Sequence, residues 1–466
     1  MVNLLLAVCS GIMLWAGFDP LEFWFAPFIG VALLFHLLCE KNFRQRVFFV
    51  LIVGFSFFAP LLHWSSVYVG SFPWLVLVLG ESALFALIAL FSWSKRWESA
   101  LSFALLFTLI ELIRMKFPFG GFGWGRLGFT QIDSLAYLYS FVGVTGISLL
   151  VASSSLLAIS IRGSLAILLP VFVFSHFLAN MDDDRNSFQT LQVTAIQGGV
   201  DTLGLDFNNR ALRVLERHAQ ATKVVPGTGL YIWPENAADV DPLKNKKANV
   251  LIRKVIAEID APLLIGAVEE SYEGPYNSSL LFGSDAELES RYIKQDLAPF
   301  GEYMPMRKLA EAVSPYARDV NDFVAGDIWK KHFIEGIPFQ SLICFEVLDD
   351  DHAKNGAMGS AFLVAQTNNA TFGRSSEAAQ QLQITRARAA ETGRNFAVVS
   401  TTGFTAHIDS HGKIVQLAEQ HSPQALTMKI GLEEATKVTW AQRLSSGIWA
   451  LILLLGLGIS RMKLNR

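Results

Sequence analysis

Apolar residues gather in eight long runs with few charges, seven in the first 180 residues and one near the end. The runs cover roughly 2–18, 23–39, 47–64, 72–93, 99–115, 134–161, 164–179 and 444–460. A helix needs about 20 apolar residues to cross the hydrocarbon core, so each run predicts a membrane span. The first two and the seventh are short for a full crossing. The first lacks a basic leader and a small-residue cleavage site, which predicts a retained helix and not a removable signal.

After "NMDDDRNSF" the pattern changes to short apolar runs alternating with amphipathic ones. Strands are predicted at 191–197, 229–235, 262–268, 277–283, 340–346, 361–367 and 396–401. Helices are predicted at 207–222, 246–258 and 376–393. Three regions follow: a membrane domain of seven helices over 1–180, an α/β domain over 187–437, and a last membrane helix with its tail over 444–466. The fold class is thus a polytopic α-helical membrane domain of about eight spans plus an α/β domain.

Composition agrees, with 52% hydrophobic and 17% charged residues among 466. A net charge of −3 without a basic block excludes a nucleic-acid partner. Lys and Arg orient the spans. Alternate loops and the tail carry Lys41, Arg44 and Arg46, then Lys95 and Arg96, then Arg162, then Arg461, Lys463 and Arg466. The other loops carry only Arg114, Lys116 and Arg126. By the positive-inside rule both termini are cytoplasmic and the α/β domain lies outside.

Three cysteines exclude a disulfide framework. Cys9 and Cys39 sit in apolar runs and read as small buried hydrophobes. Cys344, in "SLICFEVLDD", is different: spacing of two would put it on the same strand face as Glu346. Glu235 in "YIWPENAAD" and Lys294 and Glu302 in "RYIKQDLAPFGEYMP" also fall near strand ends, where sites tend to be built. Each has a plainer reading: Glu235 as a helix N-terminal carboxylate, Lys294 as a solvated edge charge, Cys344 as a core thiol. Together they supply a nucleophile, a base and a cation, the requirements of acyl transfer through a thioester. No spaced His/Cys set suggests a metal, and no cofactor is expected.

The stretches "WPENA", "KQDLAPFGEYMP", "ICFE" and "TNNATFGRSSEAAQQLQITRARAAETGRN" resemble the motifs of the nitrilase superfamily. With the flanking spans, nearly the whole chain resembles the apolipoprotein N-acyltransferase family. The resemblance implies an αββα sandwich, Glu235 as general base, Lys294 as oxyanion stabiliser and Cys344 as nucleophile. It also implies site-shaping roles for Glu302, Glu346 and Asn277, and an oxyanion contact from the Phe345 backbone N–H. Phe345 stands where the family usually has Tyr, and Asn369 and Thr371 replace the Asp and Trp of the usual "NDAWFG".

The implied reaction moves a fatty acyl chain from a membrane phospholipid, through a Cys344 thioester, to the α-amine of a diacylated apolipoprotein. The chain is expected to act as a monomer in a bacterial plasma membrane. A membrane-tethered amidase with the same triad is one rival, and a non-catalytic membrane scaffold another. In the loop 117–131, Trp124 and Arg126 are expected to meet a phospholipid headgroup or to anchor at the interface. Glu81 is expected to pair with His63 inside the bundle, and Glu111 with Arg114 one turn away.

Overall fold

The computed structural model describes residues 1–67, 70–181, 189–204, 211–313, 318 and 320–464. Two compact units form, one from Met1–Asp184 with Thr439–Arg466, the other from Arg185–Val438.

The first unit is helical. By length and composition, four of its stretches can cross a membrane among the described residues: Phe43–Leu61, Ser71–Leu90, Leu127–Ala158 and Ser446–Leu464. Shorter apolar helices occupy Val2–Trp15, Ala26–Leu38 and Leu169–Leu178. The count of about eight expected from the apolar runs is therefore not reached by these criteria. Trp97–Lys116, the fifth expected span, is long enough but carries Glu98, Glu111, Arg114 and Lys116. The terminal helix packs on it, with Ser102 and Ser460 hydroxyls 2.6 Å apart and Gly456 against Leu105. Gly143, in a left-handed region at φ 67°, breaks the helix Tyr139–Ala152.

Charges inside this unit pair differently from expectation. Arg114 reaches across to Glu81 on the helix Ser71–Phe85 and lies 4.5 Å over the Phe58 ring. His63 instead sits edge-on to Trp74. Glu111 accepts from the Leu127 backbone N–H at 2.8 Å. A buried arginine takes the partner that closes its desolvated site, and here a facing helix supplies it more completely than the next turn does. Arg126 and Trp124 are 0% and 3% exposed. Trp124 lies against Trp64 and Phe122, and its carbonyl accepts from Arg114. Neither side chain points outward to greet a headgroup; the loop's cation is spent inside the unit.

The second unit holds two six-stranded sheets. In chain order the strands are β1 (Thr190–Gln197), β2 (Leu230–Ile232), β3 (Leu263–Glu269), β4 (Tyr276–Phe282), β5 (Leu288–Ile293), β6 (His332–Ile334), β7 (Ile337–Ile343), β8 (Phe362–Thr367), β9 (Phe396–Ser400), β10 (Ala406–Ile408), β11 (Ile414–Leu417) and β12 (Gln424–Gly431). Their orders are β12-β1-β2-β3-β4-β5 and β11-β10-β9-β8-β7-β6. β1, β2 and β3 run parallel, as do β7, β8 and β9.

Alternation along the strands builds two cores. Leu191, Val193, Ala195, Leu230, Ile232 and Leu264 meet Phe339, Phe362, Val364 and Val399 between the sheets. Ile196, Tyr231, Trp233, Leu263 and Ile265 face the other way, onto the helices Arg213–Ala221 and Lys246–Ile259. The helices Asp350–Ala357 and Glu377–Thr392 serve the second sheet. The αββα order expected from the resemblance is the one observed. Residues 205–210, which include the start of the helix expected at 207–222, lie outside the described residues, as do 182–188 of the expected boundary.

Candidate active site

Three chain turns converge in the second unit. β2 stops at Ile232 because Pro234 has no N–H for the ladder, and Glu235 follows in a turn. That turn presses on β3: a Cβ on Gly266 would lie 2.2 Å from the Pro234 carbonyl oxygen and 2.6 Å from Glu235 Cα. Lys294 directly follows β5, its backbone N–H bonded to the Asn277 carbonyl at 2.9 Å. β7 stops at Ile343, and Cys344 opens a 3-10 turn through Leu348. Its φ of 49° is left-handed, an uncommon conformation for a residue with a side chain.

The expected strand through 346 is thus two parts. Cys344 and Glu346 do not share a strand face; Glu346 folds back so that its Oε2 accepts from the Ile343 N–H at 2.7 Å. Its Oε1 accepts from the Tyr292 hydroxyl and the Gln295 N–H, each at 2.8 Å, and from His352 Nε2 at 3.1 Å. The buried carboxylate ties the cysteine turn to the segment just after Lys294.

Glu235, Lys294 and Cys344 meet, although 59 and 50 residues separate successive members. Lys294 Nζ lies 3.4 Å from Glu235 Oε1 and 2.8 Å from Glu302. Asn277 Nδ2 donates to both carboxylates at 2.7 Å. Glu302 also accepts from the Ala298 N–H at 2.7 Å, so its lone pairs are occupied. Glu235 also lies beside the Cys344 side chain, near enough for each to act on the other's charge. Glu235 and Lys294 are buried, whereas Cys344 and Phe345 are partly exposed, so the cysteine is the least buried of the three.

Burial raises the Glu235 carboxyl above its ordinary value; Lys294 opposes this and Glu302 adds to it. Burial likewise raises the Cys344 thiol, with Glu235 adding to the effect and Lys294 opposing it. Burial alone would lower Lys294, but Glu302 and Glu235 outweigh it and hold its ammonium well above the usual range. The arrangement is a protonated thiol beside a carboxylate made more basic by its surroundings, with a fixed positive charge alongside. It can pass a proton from sulfur to carboxylate as the sulfur bonds to an electrophile.

Further polar residues surround the sulfur; of these only Asn369 stood out in the sequence, as a departure from the usual Asp. Gln381 Nε2 lies 3.6 Å from Cys344 Sγ. Asn369 Nδ2 donates to Gln381 Oε1 at 2.9 Å and to Glu377 Oε2 at 2.7 Å. The sequence signal was faint: Glu377 and Gln381 sit four apart on one helix face, just after a turn-rich stretch. His352 bridges Glu346 and Asp296, the latter at 3.1 Å, and packs 4.4 Å from Trp329. Burial would lower His352, but Glu346 and Asp296 raise it to about 10. Among the described residues no group of acidic, His and Cys side chains is arranged to hold a metal.

Residues 10–157 match the family described as the apolipoprotein N-acyltransferase N-terminal domain, and residues 192–439 match carbon-nitrogen hydrolase. Curated relatives agree over nearly the full length. A protein of Mycolicibacterium smegmatis named apolipoprotein N-acyltransferase is 30% identical over 97% of this chain and 84% of its own. Those of Vibrio vulnificus and Geobacter metallireducens, of the same name, are 25% and 28% identical. They cover 91% and 92% of this chain, and 90% and 89% of their own.

Proposed function

Because the chain belongs to the apolipoprotein N-acyltransferase family, we propose that it moves a fatty acyl chain from a membrane phospholipid to a diacylated apolipoprotein by way of a thioester on Cys344. The observation that carries this reading is the convergence of Cys344, the partly exposed member of the triad, on the buried Glu235 and on the Lys294 ammonium 3.4 Å from that carboxylate.

In the first half-reaction Cys344 Sγ attacks an ester carbonyl carbon as its proton passes to Glu235. Lys294 Nζ and the Phe345 N–H receive the negative charge that grows on the carbonyl oxygen. The ester C–O bond then breaks, and Glu235 returns the proton to the departing glycerol oxygen. In the second half-reaction the α-amine of the diacylglyceryl-cysteine attacks the thioester carbon. Glu235 takes a proton from nitrogen, the C–S bond breaks, and the proton returns to sulfur. Glu302 and Asn277 fix Lys294 and Glu235, and Glu346 fixes the turn that presents the sulfur.

The apolar runs and the placement of Lys and Arg support about eight spans, with a catalytic domain over 187–437 on the extracytoplasmic side of a bacterial plasma membrane. The membrane domain over 1–180 and the helix from 444 then anchor it, both termini are cytoplasmic, and the chain acts as a monomer. Donor and acceptor both have tails in the bilayer, so an anchored enzyme meets them at high local concentration.

Intact mass after incubation with phospholipid tests the first step. A fatty-acyl adduct that is absent in Cys344→Ala is the expected result. No adduct, with ammonia released from a carboxamide, would replace this reading with the amidase.

A further inference from the structure

We infer that Gln381 is a further catalytic residue: its side-chain amide donates to Cys344 Sγ and is held in that orientation by Asn369. The inference rests on the thioester reading and adds to it a hydrogen-bond donor to the sulfur.

A primary amide presents two ends of nearly the same shape, so what matters is which end meets the sulfur. Here a chain of contacts fixes it. The Gly403 backbone N–H, whose polarity is not adjustable, donates to Ser400 Oγ at 2.9 Å. The Ser400 hydroxyl donates to Asn369 Oδ1 at 2.6 Å, and the Thr367 hydroxyl donates to the same oxygen at 3.1 Å. With its oxygen so occupied, Asn369 turns its NH2 toward Glu377 Oε2 and Gln381 Oε1. Gln381 must then offer its own NH2 to Sγ, 3.6 Å away. An aspartate at 369 has no N–H to give either neighbour and would leave the amide unoriented.

The helix that carries Gln381 is pinned to the cysteine turn. Arg388, fully buried on the same helix, donates to the Val347 and Leu348 carbonyls at 2.7 and 2.8 Å. These contacts tie the donor's helix to the turn that carries the sulfur.

Glu235 and Gln381 divide the work on one atom. Glu235 removes the proton, and the Gln381 N–H meets the negative charge left behind. A hydrogen bond to a charged acceptor is stronger than one to a neutral thiol, so the contact strengthens as the thiolate forms. The same holds when the thioester breaks and the sulfur departs with its electron pair. The charged or titratable groups facing the sulfur are Glu235, Lys294, Glu377 and Glu302, of which Lys294 alone is a cation. The Gln381 donor matters because, of these four groups, Lys294 alone favours a thiolate.

The test is the rate of Cys344 alkylation by iodoacetamide in the full-length, detergent-solubilised protein. It is read as the mass of the Cys344 peptide, which separates it from Cys9 and Cys39. At neutral pH Gln381→Leu is expected to slow alkylation about tenfold, the thiolate fraction lost with one charge-assisted hydrogen bond. Gln381→Glu, equal in size but without the N–H, is expected to slow it further, and Gln381→His, which regains a ring N–H donor, to restore most of the rate. Guanidinium-unfolded samples must alkylate alike, which removes intrinsic differences, and Gln381→His serves if Gln381→Leu does not fold. Wild-type alkylation rates in both Gln381→Leu and Gln381→Glu would overturn the inference. Since alkylation needs no lipid, a slowed variant in a protein that takes no acyl group would sink the thioester reading and leave the donor role standing.

Discussion

Gly266 makes no polar contact with substrate or triad, yet the structure predicts that Gly266→Ala nearly abolishes acyl transfer. Its backbone is ordinary strand, so alanine meets no conformational obstacle there. The obstacle is space. The added Cβ would sit 2.2 Å from the Pro234 carbonyl oxygen and 2.6 Å from Glu235 Cα, both backbone atoms that cannot rotate aside. Ordinary contact begins near ~3.5 Å, so the turn carrying the base must retreat by roughly 1 Å. Misplacement on that scale costs on the order of 100-fold in rate, because Glu235 would no longer reach the thiol. The overpacked strand also loses about 1–3 kcal/mol of stability, small enough for the fold to survive. The assay is the rate of acyl-adduct formation by intact mass, with thermal unfolding alongside. Gly301→Ala is the control, since its Cβ meets nothing closer than 3.7 Å. A Gly266→Ala enzyme that acylates at the wild-type rate would refute the steric coupling between β3 and the base.

Three further outcomes follow from groups around the site. Burial raises the Glu377 carboxyl to about 8, while Asn369 opposes the shift and Glu235 adds to it. A carboxyl raised on folding favours the folded state below its unfolded value near ~4.3, and that advantage is lost as pH rises through about 8. Glu377→Gln should therefore flatten the fall in stability over this window, measured as unfolding midpoints against pH; an unchanged slope would contradict it. His352 is raised to about 10, so the stability it supplies is present below ~6.5 and fades as pH climbs through about 10. His352→Gln should remove that fade and slow acylation, because Glu346 loses a donor on the cysteine turn; wild-type acylation would count against the coupling. Arg388 pairs with Asp350 at 2.8 Å and Glu391 at 2.5 Å, all fully buried. Arg388→Leu removes the guanidinium from two buried carboxylates, leaving Glu391 with Lys354 at 3.5 Å, and should cost about 3–5 kcal/mol by denaturant unfolding, whereas a loss under 1 kcal/mol would show that the remaining partners suffice.

Glu235 and Cys344 could be picked out because each follows an apolar β-like run, and Lys294 because turn-forming Pro299 and Gly301 stand close after it. The helices at 246–258 and 376–393 were legible from their period, and the structure gives Lys246–Ile259 and Glu377–Thr392. Strands β5, β6 and β10 to β12 were not among the expected ones. They are short, or, like "LESRYI" of β5, carry exposed charges that mask a two-residue period. Glu346 could not be assigned from spacing because a left-handed Cys344 ends the strand and reverses which way position 346 points. Pairings inside the membrane unit were illegible for a similar reason. Arg114 had a carboxylate within one turn, but the helix bearing Glu81 packs against it, and packing is not written in local sequence. Gln381 and Asn369 are amides, and their part rests on orientation, which composition and spacing do not encode.

In the proposed reaction the sulfur of Cys344 hands its acyl group to an amine. Enzyme carrying a labelled fatty acyl group on Cys344, freed of donor lipid and mixed with a diacylated lipopeptide, tests it by where the label goes. The expected result is label on the peptide's α-nitrogen, leaving the enzyme faster as peptide is added. Label released as free fatty acid at the same rate with or without peptide would contradict it.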